Sequence, residues 1–163
     1  MHRTFIAFGL VATIAGAAFT SQASGQPGAI APNPVKCQGK IVTIPGATNG
    51  NDALFGTPGP DVIAGLGGND VIHGLGRNDL VCGGLGNDRL YGEGGSDRVF
   101  GGPGNDRLYG GTENDVLYGE TGRDALFGMR GWDRHLCGPQ YDRADGGPGF
   151  DSQVACESTV NIP

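Results

Sequence analysis

Hydrophobic and polar positions recur with a fixed period of nine residues from Asn49 onward. In the stretch 83–111, "GGLGNDRLYGEGGSDRVFGGPGNDRLYGG", an aliphatic residue stands two places after each aspartate. One apolar position between flanking residues is typical of a short strand whose middle residue faces a core. Each unit therefore predicts a six-residue turn and a three-residue strand. The expected inward residues are Leu54, Ile63, Ile72, Val81, Leu90, Val99, Leu108, Leu117 and Leu126, after which the pattern decays to His135, Ala144 and Gln153.

Aspartate follows the same period, and of thirteen aspartates only Asp145 falls outside it. A repeat this regular determines the fold, because each unit can bury its apolar residue only by stacking on its neighbours. Two units make one coil of eighteen residues, and successive coils stack as parallel strands about 4.8 Å apart. The sequence predicts an all-β protein, a right-handed parallel β-roll of about six coils.

Every second unit lies on the same edge of such a roll, so the aspartates form two columns. One column is Asp70, Asp88, Asp106 and Asp124, and the opposite one is Asp61, Asp79, Asp97 and Asp115. Carboxylates about 4.8 Å apart repel by about 1 kcal/mol in water and about 3.5 kcal/mol at an effective dielectric of about 20. A cation between coils would cancel this repulsion. The alternative is that each aspartate is a turn residue that accepts backbone N–H bonds, and at the ends, for Asp52, Asp142 and Asp151, both interpretations stay open.

The donors available in these turns indicate which cation is bound. Aspartate carboxylates and the carbonyls of glycine-rich turns are hard oxygen ligands in a flexible cage. Such a cage favours Ca²⁺ over Mg²⁺, which needs strict octahedral geometry, and over zinc or copper, which prefer His and Cys. We expect several Ca²⁺ ions, with the eight column aspartates as ligands.

Composition narrows the function further. The 163 residues suit one domain, and the 33 glycines lack the three-residue period of collagen. A net charge of −6 argues against a nucleic-acid partner. The serine-hydrolase, zinc-protease and Cys–His patterns are all missing from the sequence. Because the repeats occupy nearly all of the expected mature chain, we expect no enzymatic activity.

The N-terminus has the pattern of a secretory signal peptide over residues 1–23. A short polar stretch with Arg3 precedes an apolar run, and Ser21 and Ala23 fit a small-x-small cleavage site. The alternative is a single membrane anchor, although the run is short for a bilayer span of about 20 residues. We expect a secreted, extracellular protein with no membrane span after cleavage.

The mature chain is expected to begin with a flexible leader over residues 24–36, rich in Pro and Gly. Residues 37–46, "CQGKIVTIPG", predict an edge strand that opens the fold. The β-roll with its N- and C-terminal caps then covers residues 37–163.

The four cysteines are even in number and suit two disulfides in an oxidising compartment. Three pairings are open from the count alone. Cys137 and Cys156 are nineteen residues apart, about one coil, so we expect them to bridge neighbouring strands and cap the last coil. Cys37 then pairs with Cys82 and ties the opening strand to the repeats.

The repeats resemble a known family. "GGLGNDRLY" (83–91), "GGPGNDRLY" (101–109) and "GGPGFDSQV" (146–154) match the G-G-x-G-x-D-x-U-x nonapeptide of RTX, or haemolysin-type, calcium-binding repeats. The resemblance covers residues 47–154. It implies that calcium lies between turns two units apart, held by turn carbonyls and by the aspartates of both turns.

By that rule the best site lies between turns 83–88 and 101–106, with Asp88 and Asp106. Turns 74–79, 110–115 and 119–124 replace glycines with Arg, Glu or Thr, which predicts weaker binding there, and turn 137–142 lacks the flanking glycines. The N-terminal signal and the cysteines make the chain similar to the small, Sec-exported, repeat-only members rather than to the large toxins and proteases.

The asparagines and the aromatic residues of the repeats lead to two further predictions. Asparagine before the aspartate, as in Asn69 and Asn87, is expected to tolerate a positive φ. An aromatic series points outward from one face: Phe55, Tyr91, Tyr109 and Phe127. It predicts either a self-stacking ladder or a platform for a sugar or a cell-surface partner. The platform defines the alternative function, an extracellular adhesin or carbohydrate-binding module with structural calcium.

Overall fold

The computed structural model describes residues 36–154, 156 and 158–160. The expected signal peptide and all of the expected leader except Lys36 lie outside the described residues. No described segment forms a helix long and apolar enough to cross a membrane. The strands are β1 Lys36–Cys37, β2 Lys40–Ile41, β3 Ala53–Phe55, β4 Val62–Gly67, β5 Val71–Gly76, β6 Leu80–Leu85, β7 Arg89–Gly94, β8 Arg98–Pro103, β9 Arg107–Thr112, β10 Val116–Thr121, β11 Ala125–Arg130, β12 Arg134–Leu136, β13 Arg143–Asp145, β14 Ser152–Val154 and β15 Ser158–Val160.

From β3 onward, successive strands alternate between two parallel sheets. One sheet has the order β14-β12-β10-β8-β6-β4, and the other has the order β15-β13-β11-β9-β7-β5-β3. Paired residues are eighteen apart from β3 to β14, as in Leu90 against Leu108 and Val99 against Leu117. The prediction of an all-β solenoid of parallel strands with about six coils is confirmed.

The core is one column of inward side chains between the two sheets. All nine aliphatic residues that the period predicts are buried in it, together with Cys137 and Ala144. Each residue packs between its equivalents in the coils before and after, so burial is continuous along the solenoid. The interpretation of the apolar positions is therefore confirmed.

The strands are longer than predicted. Strands β4 to β11 have six residues each instead of three. The reason is that coils stay in register beyond the core residue, as when Glu120 pairs with Gly102 and Thr121 with Pro103. Backbone hydrogen bonding between coils thus extends into the first half of each expected turn.

The opening segment forms a hairpin rather than an edge strand of the solenoid. β1 and β2 pair antiparallel around Gln38 and Gly39, whose φ angles are 47° and 81°. Two successive left-handed residues are typical of a tight hairpin turn, which the predicted single strand did not allow for. Cys37 is bonded to Cys82 in β6, with the two Cα atoms 5.8 Å apart, so the hairpin is fixed to the outside of the even-numbered sheet.

The last coils are held by the second expected disulfide, Cys137–Cys156, with a Cα–Cα distance of 5.2 Å. His135 replaces the aliphatic residue of the core and pairs in register with Gln153. The imidazole of His135 is fully buried, and this burial lowers its pKa against the raising effects of Asp151, the Ser152 backbone and Asp145. The apolar column therefore weakens here, as the sequence predicts.

Aromatic side chains stack along the outside of the odd-numbered sheet. The ladder runs Phe55–His73–Tyr91–Tyr109–Phe127, with centroids 4.6 to 5.0 Å apart and planes within 11°. The ladder includes His73, which the sequence pattern did not assign to it. The Nδ1 of His73 lies 2.7 Å from Oε1 of Glu93. A shorter stack, Phe100 on Tyr118 at 4.3 Å, lies on the even-numbered sheet.

Candidate metal centre

The two aspartate columns are hydrogen-bonded from coil to coil. The N–H of Asp70 donates to Oδ1 of Asp88 at 2.8 Å, and the N–H of Asp88 donates to Oδ1 of Asp106 at 2.8 Å. The same bond repeats along one edge from Asp52 to Asp142. It also repeats along the other edge from Asp61 to Asp151. One oxygen of each column carboxylate from Asp70 onward therefore accepts a backbone N–H, as expected for an aspartate that acts as a turn residue. This bond links each coil to the next.

The second carboxylate oxygen has a different environment. It is buried, and in the part of the chain that the structure describes it has no hydrogen-bond partner in nine turns. A buried polar atom without a partner is costly, and a buried charge is more so. The site is therefore chemically incomplete with protein groups alone. The nine residues are Asp70, Asp79, Asp88, Asp97, Asp106, Asp115, Asp124, Asp133 and Asp151.

Burial raises the pKa of these carboxyls, because it disfavours the charged form. The pKa of Asp115 rises to about 8, chiefly by desolvation, with the neighbouring Asp97 and Asp133 adding to the rise against the lowering effect of the backbone bond. The pKa of Asp106 rises to about 7, again chiefly by desolvation. The pKa of Asp88 rises to about 6. These carboxyls therefore keep their protons to a higher pH than exposed aspartates do, and a nearby cation would favour their ionised form.

Glycine stands five positions before ten of the twelve repeat aspartates and leaves room beside the second carboxylate oxygen. A Cβ added at Gly101 would lie 2.5 Å from Oδ2 of Asp106 and 2.8 Å from the carbonyl oxygen of Gly119 in the next coil. Contacts this short force a shift, so only glycine lets a carboxylate and a carbonyl from successive coils converge. In turn 137–142 this position is Cys137, a residue that carries a Cβ.

The residue four positions before the aspartate adopts a left-handed backbone in ten turns. Glycine adopts it without penalty, whereas for a residue with a side chain it costs about 1 kcal/mol or more. Glu93 stands where the repeat calls for glycine, yet its φ of 74° keeps the turn shape. The residues are Leu66, Leu75, Gly84, Glu93, Gly102, Gly111, Glu120, Met129, Gly138 and Gly147.

The asparagines before the aspartates do not have the role predicted for them. None of these asparagines has a positive φ. Instead, the Oδ1 of Asn69 accepts the N–H of Asn87 at 2.8 Å, and the Oδ1 of Asn87 accepts the N–H of Asn105 at 2.7 Å. Asparagine is used here because its amide oxygen reaches the backbone of the next coil.

Comparison with protein families assigns this architecture. A family model described as the RTX calcium-binding nonapeptide repeat matches residues 46–81, 73–108 and 100–134, together more than half of the chain. The chain belongs to the RTX calcium-binding repeat family. No curated protein and no solved structure is significantly similar to it. The expected resemblance is confirmed, and the chain carries calcium-binding repeats.

The first two RTX turns differ from the rest. The backbone N–H and the hydroxyl of Thr57 donate to Oδ2 of Asp61 at 2.6 and 2.9 Å. Thr48 makes the same two bonds to Asp52, also at 2.6 and 2.9 Å. Sequence reasoning missed these threonines, although both stand four positions before a column aspartate, and that shared position was the available signal.

Calcium fits the remaining RTX turns by the chemistry of their donors. No three His, Cys, Asp or Glu side chains cluster as a metal site in the described residues. The donors that converge in these turns are a carboxylate and a backbone carbonyl, as with Asp106 and Gly119 beside Gly101. Buried carboxylate oxygens that lack a partner, beside glycine carbonyls, are the hard oxygen set that calcium prefers. When bound, calcium would supply the positive charge that the buried carboxylates need.

Proposed function

We propose that the protein is a secreted, non-catalytic calcium-binding β-roll whose folding is coupled to Ca²⁺ binding between stacked turns. One observation carries this proposal: nine buried carboxylate oxygens without a hydrogen-bond partner in the described residues, repeated at every turn from Asp70 to Asp133 and again at Asp151. Ionised carboxylates in this position destabilise the fold, and a cation that joins two coils removes that cost. Metal binding then contributes directly to the free energy of folding.

The proposed ligands follow the two columns. Asp70, Asp88, Asp106 and Asp124 serve one edge, and Asp79, Asp97 and Asp115 serve the other, each with turn carbonyls. The strongest site lies between turns 83–88 and 101–106, which keep every glycine of the motif. The environment of Asp133 and Asp151 supports adding them to the expected set. Asp61, which the column pattern included, has its second oxygen bonded to Thr57.

Secretion is part of the proposal. Residues 1–23 are the proposed signal peptide, residues 24–36 the leader and residues 37–163 the calcium-binding roll with its caps. The two disulfides of the structure support an oxidising compartment. Mass spectrometry of the secreted chain should find its N-terminus near Ser24, and an intact N-terminus would contradict the assignment.

Circular dichroism of the mature chain tests the coupling. In excess EDTA we expect most of the β signal to disappear, and we expect Ca²⁺ to restore it while equimolar Mg²⁺ does not. The reduced protein should be measured as well, because the disulfides can preserve residual structure. A spectrum that EDTA leaves unchanged would refute the proposal.

The adhesin alternative receives less support from the aromatic ladder. Sugars bind to the open faces of aromatic rings, and the faces of His73, Tyr91 and Tyr109 are covered by their neighbours in the stack. The stack therefore favours a stiffening role for the ladder. A glycan or cell-wall pull-down that captured the calcium-loaded protein would support the alternative.

A further inference from the structure

The first coil of the solenoid satisfies its aspartates without a cation. In the turns of Asp52 and Asp61, the second carboxylate oxygen accepts two bonds from the threonine four positions earlier. Hydrogen bonds from several donors stabilise an ionised carboxylate. At Asp70 and Asp79, one coil later in each column, the same oxygen has no hydrogen-bond partner among the described residues.

Backbone geometry separates the same two groups of turns. Thr48 and Thr57 stay outside the left-handed region, whereas the equivalent residues Leu66 and Leu75 have φ angles of 78° and 81°. Where that residue is left-handed, its own N–H forms no bond with the second oxygen of Asp70 or Asp79. In the first turn, moreover, Ala47 occupies the position that glycine keeps open in most later turns.

The other carboxylate oxygen of Asp61, Oδ1, also has a hydrogen-bond partner. No aspartate one coil earlier donates an N–H to it, because Asp61 is the first aspartate of its column. The hydroxyl of Thr43, just after the opening hairpin, lies 3.2 Å from this oxygen and accepts the N–H of Val62 at 2.8 Å. Threonines therefore close the end of this column. A terminal repeat has a neighbour on one side only, so it needs a cap of its own.

We infer that Thr48 and Thr57 replace calcium in the first two turns, so that the N-terminal coil folds without metal and calcium binding begins at Asp70 and Asp79. The inference rests on the proposed function, since it divides the turns into metal-dependent and metal-independent ones. It removes Asp61 from the calcium ligands. It also gives the chain a preformed end on which the calcium-dependent coils can stack.

Hydrogen exchange measured by mass spectrometry on the full, disulfide-intact mature chain tests this division at about neutral pH. In EDTA, peptide 43–63 should exchange at least about tenfold more slowly than peptide 98–118. Calcium should slow peptide 98–118 by at least about a hundredfold and peptide 43–63 by less than about tenfold. Some slowing of peptide 43–63 is expected, because the N–H groups of Asp52 and Asp61 bond to the coil that calcium orders.

The double variant Thr48→Val, Thr57→Val keeps the backbone, the β-branched shape and the Cys37–Cys82 bond but removes both hydroxyls. In EDTA it should lose about tenfold of the protection of peptide 43–63. Thr112→Val is the matched control, because the Thr112 hydroxyl contacts Glu113 and the Glu93 carbonyl and no aspartate. This control should leave peptide 43–63 unchanged.

The outcomes are distinct. If calcium protects peptide 98–118 while peptide 43–63 is unprotected in wild-type EDTA samples, the inference is overturned and the proposed function stands. If the double variant keeps the protection of peptide 43–63 in EDTA, the disulfide and not the threonines causes that protection. This result would also overturn the inference. If calcium protects no peptide, the proposed function fails and the inference fails with it.

Discussion

Asp61 and Asp79 stand one coil apart in the same column, yet their carboxylates have opposite environments. Each has a buried side chain, and the N–H of Asp61 donates to Asp79 at 2.8 Å. The second oxygen of Asp61 accepts two bonds from Thr57, whereas that of Asp79 has no hydrogen-bond partner within the described part of the roll. Burial raises the pKa of Asp79 to about 7.

An aspartate at the repeat position therefore does not by itself determine how its carboxylate is satisfied. The residue four positions earlier determines whether the second carboxylate oxygen has a hydrogen-bond donor within the protein. Thr57 donates an N–H and a hydroxyl to Asp61, whereas Leu75 has a left-handed backbone and donates no bond to Asp79.

The largest expected effect is that of pH on the metal-free protein. The folded pKa values of Asp79, Asp106 and Asp115 lie at about 7, 7 and 8, above the ordinary value of 3.8. The folded state therefore binds more protons than the unfolded state, and its stability falls as pH rises through this range. The stabilisation that these bound protons provide is fully present below the ordinary pKa of 3.8 that the carboxyls have in the unfolded chain. In the metal-free protein, a proton on each of these carboxyls removes the charge that a bound cation would otherwise neutralise.

In EDTA, lowering the pH from about 8 to about 5 should stabilise the fold by several kcal/mol, since raising one pKa by one unit corresponds to about 1.4 kcal/mol. Urea unfolding at a series of pH values measures this. Excess calcium should flatten the dependence, because the cation displaces the protons. Stability in EDTA that increased from acid to neutral pH would contradict the argument.

Gly101→Ala should have the next largest effect. The added methyl collides with Oδ2 of Asp106 and with the carbonyl of Gly119, so we expect a loss of about 1–3 kcal/mol and weakened calcium binding. Gly76→Ala is the matched control, because its Cβ would meet nothing closer than the Pro58 oxygen at 4.0 Å. Calorimetric calcium titration of both variants tests the pair, and equal loss in both would refute the role of the glycine position.

The period made most of the fold predictable. Aspartate, glycine and aliphatic residues at fixed positions indicate a two-sheet solenoid. The pair Cys137–Cys156 follows from the stacking of coils, which leaves Cys37 to pair with Cys82. These features depend on translation by one coil, which the sequence displays directly. Strand length was underestimated because glycine-rich turns can still pair in register with the next coil.

The local chemistry of the turns was harder to predict. Leu66 and Met129 stand at left-handed positions that their side chains disfavour, and the stacked backbone imposes that conformation. His73 joins the aromatic ladder because a flat ring at that position can stack, whatever its polarity. Thr57 bonds to Asp61 four residues later, a local contact that the period of nine does not display. The backbone of Leu66 and the stacking of His73 depend on neighbours eighteen residues away.

Asp88→Ala and Asp142→Ala should separate hydrogen bonding from calcium binding. Each variant loses one bond from the aspartate one coil earlier, a cost of about 1–3 kcal/mol for a buried group. Only Asp88 has a glycine, Gly83, five positions before it; Asp142 has Cys137. We therefore expect Asp88→Ala to weaken calcium-dependent folding more than Asp142→Ala does, by calorimetric titration. Equal damage would show that the ranking of sites by glycine pattern is wrong.

The smallest expected effect comes from the aromatic ladder, which spans both regions. Tyr109 stacks on two rings, at 4.8 and 5.0 Å, whereas Phe55 in the first coil stacks on one, at 5.0 Å. Aromatic pairs contribute about 0.5–1.5 kcal/mol each beyond burial, so Tyr109→Ala should cost about twice as much as Phe55→Ala. The cost of Tyr109→Ala should be visible only with calcium, because its coil is expected to be unfolded in EDTA. The cost of Phe55→Ala should likewise be visible only with calcium, because its stacking partner His73 lies in the coil that begins at Asp70. A Tyr109→Ala effect in EDTA equal to that in calcium would mean that the metal-free protein already stacks its central coils.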